Sequence, residues 1–463
     1  IPNARASQWM EENIPLFECS QKNFEEMYYY RWWTLRKHIK ETPVGYGMTE
    51  FLVNRSYADK YNLIACAIGH HIYESRWLRN PEYLNQIIHT WYRGNEGGPM
   101  AKMTKFSSWN ADAVLGRYMV DGNKEFLLDM VKDLEAEYAR WEKTNRLPNG
   151  LYWQGDVQDG MEESISGGRR KQYARPTINS YMYGNAKALS LIGIMTGDEG
   201  MAMKYGLKAD SIKTLVQDKL WNTDHHFFET MRGDASAEVR EAIGYIPWYF
   251  NLPDASSKYT VAWKEVMDEK GFSAPYGLTT AERRHPEFRT HGVGKCEWDG
   301  AIWPFASAQT LTAMANFMNN YPQTVLTDSV YFHHMERYVE SQHHRGRPYI
   351  GEYLDEVTGY WLKGDQERSR YYNHSTFNDL MITGLIGLRP RMDNTVEVNP
   401  LIPEGKWDYF CLDNVLYHGR NLTILWDKDG SRYQRGKGLH IYVDGKEVGH
   451  ADTLTRVLCE NVL

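Results

Sequence analysis

The sequence predicts a mainly α-helical fold, an (α/α)6 toroid of six helical hairpins, followed by a small C-terminal all-β module. About a dozen segments between residues 22 and 390 carry apolar and aromatic residues at helical spacing. Loops rich in Gly, Pro and Asn join them. After residue 392 the pattern changes to short alternating stretches with Asp-Gly and Asn turns. We therefore expect a helical barrel over residues 1–391 and a β-sandwich-like module over residues 392–463.

The helical segments follow one another closely, and each has an apolar face that a neighbour can cover. In chain order, the predicted helices cover residues 24–39, 57–78, 81–94, 108–122, 124–143, 178–198, 199–221, 257–271, 301–318, 326–344 and 374–388. The predicted strand regions are residues 394–403, 407–419, 420–430 and 438–450. No strict repeat of the common helical-repeat type is present. A closed toroid of hairpins fits this pattern, and a plain helical solenoid is the alternative.

The composition excludes several classes of function. Net charge is −7 with both signs mixed, which disfavours a nucleic-acid partner. The five cysteines are widely spaced without a CxxC pair, so we expect neither a disulfide framework nor a metal site. No apolar run is long enough for a membrane span. We expect no metal and no organic cofactor.

Aromatic residues are frequent and favour a carbohydrate ligand. The chain has 16 Trp and 32 Tyr. Sugars present flat C–H faces and hydroxyl groups, which suit aromatic platforms with a polar edge. An aromatic-rich core is the other interpretation of the same composition. We expect an oligosaccharide or polysaccharide substrate.

The first candidate loop covers residues 149–176, a long Gly-rich stretch between two strong helices. Loops of this length are usually functional or disordered, and its mixed charges and aromatic residues argue against disorder. Hydrolysis of a glycosidic bond needs two carboxyl groups, one to donate a proton and one to act as base or nucleophile. Asp156, Asp159 and Glu162 are the candidate carboxyl groups in this loop, and Trp153 is a candidate for the binding pocket.

A second candidate loop covers residues 347–380 and carries Glu352 beside aromatic residues. A third, residues 294–311, places Trp298 and Trp303 around Asp299 at the start of a helix. Each set also has an ordinary structural interpretation, because Asp299 could cap the helix and the tryptophans could belong to the core.

These loops resemble those of a clan of (α/α)6 glycosidases that includes trehalase, glycoside hydrolase family 63 and the mannosylglycerate-hydrolase-like domains. The clan has a "WESGxD" loop with the general acid, where this chain has "WQGDVQD". The family 63 "SYMY" helix matches "SYMYG" at Ser180–Gly184, which includes Tyr181. The clan's "YWRGxVW" corresponds to "EWDGAIW", and its "ENYNPxTG" to "GEYLDEVTG".

The resemblance implies roles for two carboxyl groups. The base carries over to Glu352, because the spacing from each Glu to Thr-Gly is the same. Counted without a gap, the acid falls on Gln158, with Asp159 one residue later and Asp156 two earlier. We predict Asp159 as the acid, with Asp156 and Glu162 as alternatives. Asp299 stands where the clan has Arg, which disfavours an ordinary glucose substrate.

The closing stretch and the β module look most like the β-L-arabinofuranosidases of glycoside hydrolase family 142. The sequence hypothesis is an exo-acting, inverting glycosidase that removes a terminal sugar from a plant-type glycan such as a pectin side chain. Its binding pocket would contain Trp153, Asp156, Tyr181, Trp298, Asp299 and Trp303. A periplasmic or secreted location fits such a substrate. The alternatives are an α-glucosidase or α-mannosidase of the clan, a non-catalytic carbohydrate-binding toroid, and a polysaccharide lyase.

Overall fold

The computed structural model of the chain describes residues 1–292 and 294–463. Most of its length is helical, and the C-terminal part is a β region. The α-helices, named here in chain order, are α1 (Ala6–Asn13), α2 (Lys22–His38), α3 (Ile68–Ser75), α4 (Pro81–Arg93), α5 (Asn110–Asp121), α6 (Lys124–Asn145), α7 (Asp156–Asp159), α8 (Pro176–Thr196), α9 (Glu199–Leu215), α10 (Ile246–Tyr249), α11 (Ser257–Thr260), α12 (Pro304–Asn320), α13 (Asp328–Ser341) and α14 (Asn378–Leu380).

Short hairpins punctuate the helical part, and longer strands form the C-terminal region. The strands are β1 (Leu16–Cys19), β2 (Ile39–Thr42), β3 (Gly45–Met48), β4 (Trp221–Asn222), β5 (Phe227–Phe228), β6 (Met231–Arg232), β7 (Ala235–Ser236), β8 (Ser273–Ala274), β9 (Gly277–Leu278), β10 (His343–His344), β11 (Arg347–Pro348), β12 (Val396–Val398), β13 (Tyr409–Tyr417), β14 (Arg420–Asp427), β15 (Gly438–Val443), β16 (Lys446–Ala451) and β17 (Val457–Cys459).

The long predicted helices are confirmed at α2, α4, α5, α6, α8, α9, α12 and α13, within a few residues. Their starts follow ordinary capping chemistry. The Asn80 side chain accepts from the N–H of Glu82 before α4, and Asn123 and Asp198 cap α6 and α9 in the same way.

Three of the predicted helices are wrong in length. Tyr61 and Asn62 have left-handed φ angles of 61° and 62°, so residues 57–67 cannot continue α3 backwards. Residues 257–271 form α11 and a tighter 3-10 turn, in which Trp263 stacks on Phe317 at 5.2 Å.

The third shortened helix is the predicted one at residues 374–388. It shrinks to α14 and a π turn at Met381–Leu385. Gly387 has a φ angle of +83°, which ends the helical path two residues later.

The C-terminal sheet is antiparallel, with strand order β1-β13-β14-β15-β16. Its hairpins turn at His418–Gly419 and Asp444–Gly445, where both residues have positive φ, as expected for tight two-residue turns. The sheet includes β1 from the N-terminus, so Leu16–Cys19 extends the region that the sequence assigned to residues 392–463. The boundary at residue 391 stays a prediction.

A buried polar network joins the two ends of the helical part. Glu74, at the end of α3, accepts hydrogen bonds from the backbone N–H groups of residues 377–379. Arg76 pairs with Asp379 at 2.9 Å, and both side chains are buried. Contacts about 300 positions apart therefore close the helical domain. No helix within the described residues is both long and apolar enough to cross a membrane.

Candidate active site

The loop from β11 to α14 holds Glu352 in a largely buried position. Its side chain is 7% exposed, with Lys363 Nζ at 3.2 Å and Arg368 at 3.6 Å from Oε2. The backbone N–H of Glu352 donates to Ser369 Oγ at 3.3 Å. Trp361 is fully buried and donates to the carbonyl of His343, which anchors the loop. Both cations face the same oxygen, Oε2, at ion-pair distance, and this oxygen has no hydrogen bond within the described residues.

Asp159, the predicted acid, lies at the end of α7 with its side chain fully buried. One carboxylate oxygen accepts from Arg175 and from Thr177 Oγ1, the latter at 2.8 Å. Arg175 is itself buried and also donates to Ser166 Oγ at 3.0 Å. The other oxygen, Oδ1, has no hydrogen-bond partner among the described residues. Burial raises the pKa of Asp159, whereas the ion pair with Arg175 lowers it and favours the charged, structural form.

Asp156 is the first residue of α7 and is also buried. Burial raises its pKa, while Arg175 and Arg169 act in the opposite direction. Its Oδ1 atom has no hydrogen-bond partner among the described residues. Gly167 packs directly against this carboxyl group. A side chain at residue 167 would clash with the Asp156 carboxylate, so this position requires glycine.

Glu162 is the carboxyl group of this loop with the surroundings of an acid. Burial raises its pKa to about 7, and the charges of Asp156 and Glu352 act in the same direction. Arg169 lies near but is paired with Glu163, and no described cation forms an ion pair with Glu162. A carboxyl group that keeps its proton near neutral pH can serve as a general acid.

A third carboxyl group, Glu50, forms a cluster with Glu162 and Glu352. It was not predicted from the sequence. It follows β3, and its oxygens accept from the Tyr372 hydroxyl and from Cys66 Sγ, the latter at 3.2 Å. Burial raises its pKa to about 7, with further contributions from the charges of Glu352 and Glu162. The segment "MTEFLVN" around it carries no motif, so only the fold reveals that it joins the other two.

An aromatic stack lies directly beside Glu352. The rings of Trp298 and Trp303 are 4.2 Å apart at 18°, and Trp303 lies 4.7 Å from Tyr353 at 16°. The indole N–H groups of both tryptophans have no hydrogen-bond partner among the described residues. All three rings are buried, and Tyr353 is the residue after Glu352. Contact of Trp298 and Trp303 with a sugar stays a prediction.

The remaining predicted pocket residues have structural contacts. Asp299 is buried and accepts from the backbone N–H groups of His291 and Gly292, which shapes its own loop. Tyr181 is buried in α8, where its hydroxyl accepts from Gln309 at 2.7 Å. Trp153 is half-buried, and its backbone pairs with Asn145. Sugar contact by these three stays a prediction.

Among the described residues, one group has ligand atoms close enough for a metal ion: His225, Glu229 and Glu238. It lies in the β4–β7 hairpins. His225 Nδ1 and a Glu229 oxygen are 2.5 Å apart, which is hydrogen-bonding distance. Glu238 Oε2 lies 3.6 Å from His225 Nε2, and the Glu238 side chain is exposed. The five cysteines, all in the described part of the chain, form no disulfide.

The helix-rich domain, the C-terminal sheet and the clustered carboxyl groups point to a class of protein, the glycoside hydrolases. The chain belongs to the mannosylglycerate hydrolase MGH1-like glycoside hydrolase family, whose model matches residues 60–375. Residues 388–450 match the C-terminal domain of glycosyl hydrolase family 65.

Solved structures show the same fold. A protein named sialidase is 84% identical with a TM-score of 0.99, over 100% of this chain and 43% of that protein. The family 63 mannosylglycerate hydrolase from Thermus thermophilus, in complex with glucose, is 11% identical with a TM-score of 0.56, over 77% of this chain and 99% of its own. A family 78 rhamnosidase from a Bacillus species is 9% identical with a TM-score of 0.58, over 89% and 40%. The chain therefore spans less than half of the relative named sialidase.

Proposed function

We propose that the chain is an exo-acting, inverting glycosidase with Glu162 as general acid and Glu352 as general base. The observation that carries this proposal is the contrast between the two groups. Glu162 has no cationic partner within the described residues and has a pKa raised to about 7, whereas Glu352 is held by Lys363 and Arg368. Asp159 is the alternative acid, and its ion pair with Arg175 argues against it.

The reaction follows from these roles. Protonated Glu162 gives its proton to the glycosidic oxygen as the bond to the sugar breaks. Glu352 takes a proton from a water molecule, which attacks the anomeric carbon from the opposite face and inverts its configuration. Room for that water requires the two carboxyl groups to stand about 6.5–9.5 Å apart when substrate is bound. The stack of Trp298, Trp303 and Tyr353 offers a wall for the sugar beside the base.

For the fold of the helical domain we propose a toroid of six helical hairpins. For the substrate we propose a terminal β-L-arabinofuranose on a pectin side chain. Support comes from the resemblance of the closing stretch and β module to family 142. The change from the clan's Arg to Asp299 also argues against a glucose pocket. An α-glucoside or α-mannoside is the alternative within the same mechanism.

A second candidate substrate is a sialoside, because the 84% identical protein is named sialidase. A sialoside carries a carboxylate next to the scissile bond. Here Glu50, Glu162 and Glu352 are clustered, and the two cations at the site are already engaged by Glu352. A neutral sugar suits this charge distribution better.

The test is a screen of aryl glycosides: β-L-arabinofuranoside, α-glucoside, α-mannoside and an α-sialoside. Proton NMR of the first-formed product reports its anomeric configuration. We expect hydrolysis of the arabinofuranoside with inversion. Retention, or a sugar ester trapped on Glu162 or Glu352, would overturn the mechanism, and hydrolysis of another glycoside alone would overturn the substrate.

A further inference from the structure

A surface groove of 1020 Å³ runs beside the loop that carries Glu352. α2 contributes Tyr30 and Trp33 to one wall, and residues from segments 344–349 and 364–371 form the other. The proposed catalytic roles leave this groove unused. It is large enough for several sugar units.

The groove and the candidate base share one short stretch of chain. Lys363 and Arg368 contact the Glu352 carboxylate. Their sequence neighbours Gly364 and Glu367 line the groove. A ligand in the groove therefore lies against the loop that holds the base.

Aromatic side chains supply much of the groove wall. The rings of Tyr30 and Trp33 are stacked at 6.0 Å and 24°, and Trp33 meets Tyr371 edge-on at 5.5 Å. Lys37 Nζ lies 3.8 Å from the centre of the Trp33 ring. These contacts fix the rings, and each remains partly exposed. Fixed, partly exposed rings suit the apolar faces of sugars.

The arginines of the groove differ in whether they form an ion pair. Arg345 pairs with Asp365 at 2.9 Å. Arg347 and Arg370 line the groove and are exposed, and neither forms an ion pair within the described residues. Free guanidinium groups bind carboxylates with two parallel hydrogen bonds. The wall thus combines sugar platforms with two cations that lack an anion in the part of the chain that the structure describes.

We propose that this groove binds a uronate-bearing glycan chain, with Arg347 and Arg370 contacting the uronate carboxylate and Trp33 and Tyr371 contacting sugar faces. The inference rests on the proposed function in one respect: the bound chain is then the remainder of the substrate whose terminal sugar is removed.

The groove lining also includes Asp365, which pairs with Arg345, and Glu367. Its excess of positive charge is therefore small and comes from Arg347 and Arg370. A glycan that is acidic away from the scissile bond would place its carboxylate at these two arginines and its neutral end at the carboxyl cluster.

Calorimetry with two matched probes tests the groove without requiring turnover. The probes are a tetragalacturonate and its carboxyl-reduced, neutral counterpart. We expect the acidic probe to bind at least about tenfold more tightly, and to weaken as salt rises. The double variant Arg347→Gln/Arg370→Gln should lose that preference. Arg140→Gln/Arg435→Gln removes the same charge from exposed positions elsewhere and should retain it.

Kinetics then separate this inference from the proposed function. A small aryl glycoside should react equally with the wild-type protein and the groove variant, whereas an acidic oligosaccharide substrate should show a KM raised about tenfold in the variant. Equal binding of both probes, or unchanged binding by the groove variant, would overturn the proposal that the groove binds a uronate-bearing glycan. Uronate binding that is lost in the groove variant, without hydrolysis of any glycoside, would overturn the proposed function and leave the groove intact.

Discussion

Two loops of the same barrel present carboxyl groups in opposite surroundings. In residues 154–175, Asp159 is sealed in an ion pair with Arg175, and Glu162 is left without a cationic partner among the described residues. In residues 347–375, Glu352 is held by two cations. Position in the sequence does not decide which carboxyl group is acid, base or structural support. The neighbours that folding brings to each one decide it.

The largest expected effect is on folding. Asp159→Asn keeps the shape of the side chain but removes the anion paired with buried Arg175, which then faces only Glu241 and Asp156. Because these two anions remain, we expect a cost of about 3 kcal/mol, the lower end for breaking a buried ion pair. Denaturant unfolding should therefore show a free energy of unfolding lower by that amount. Asp393→Asn, in the exposed pair with Arg391, should cost about 1 kcal/mol or less. A similarly small loss for Asp159→Asn would show that the pair is not structural.

The next effect is on turnover. Glu352→Gln removes the base and keeps its shape, so kcat/KM should fall about 10²-fold or more, with the fold intact by circular dichroism. Glu404→Gln changes an exposed glutamate outside the site and should be neutral. Near-normal turnover by Glu352→Gln would remove the base assignment.

A smaller and selective effect distinguishes the acid. Glu162→Gln should slow substrates with poor leaving groups about 10²-fold and slow activated aryl glycosides much less, because good leaving groups need little protonation. Steady-state kinetics on a matched pair of aglycones measures this difference. If Asp156→Asn or Asp159→Asn shows the selective pattern while Glu162→Gln loses both substrates equally, the acid is the aspartate.

Much of the fold was predictable because its signals are local. Helix caps such as Asn80 and Asn123, and turns such as Asp444–Gly445, act within a few residues of where they stand. Glu352 was predicted as the base through a spacing to Thr-Gly inside one loop, and this role stays a prediction. Two of the three shortened helices are interrupted at left-handed residues, Asn62 and Gly387, and in the third Trp263 packs against the distant Phe317.

The carboxyl cluster of the proposed active site was harder to predict because it is made by distant contacts. Glu50 lies 302 positions before Glu352 (352 − 50) and is held by Tyr372 and Cys66 from two further segments. Asp159 was preferred because a motif was counted along the chain. The partner that buries it, Arg175, lies 16 positions away on the far side of the loop. Nothing in the local sequence shows which of these charges are neutralised.

The smallest expected effect is a shift in the pH profile, and it tests whether the three carboxyl groups act as one electrostatic unit. The acid must carry its proton, so kcat/KM should fall as pH rises through about 7, the pKa to which burial raises Glu162.

The same shift sets the sign for stability. The folded state keeps this proton from the ordinary value of 4.5 up to about 7 while the unfolded chain loses it, so this group makes stability fall as pH rises across that window. Glu162→Gln should abolish both the alkaline limb of the rate and this part of the stability slope.

Glu50→Gln tests the neighbour. Glu50 has a pKa raised to about 7 and therefore ionises over the same pH range as Glu162. Glu50→Gln removes the repulsion between the two ionised groups, so the alkaline limb should move to lower pH while the limb itself remains. Glu404→Gln should leave the profile in place, since it lies outside the cluster. A limb that stays fixed or moves upward in Glu50→Gln would mean that Glu50 and Glu162 are not electrostatically coupled. The pKa of Glu162 would then be set by burial within its own loop. Glu50 would have no part in the difference between the two loops.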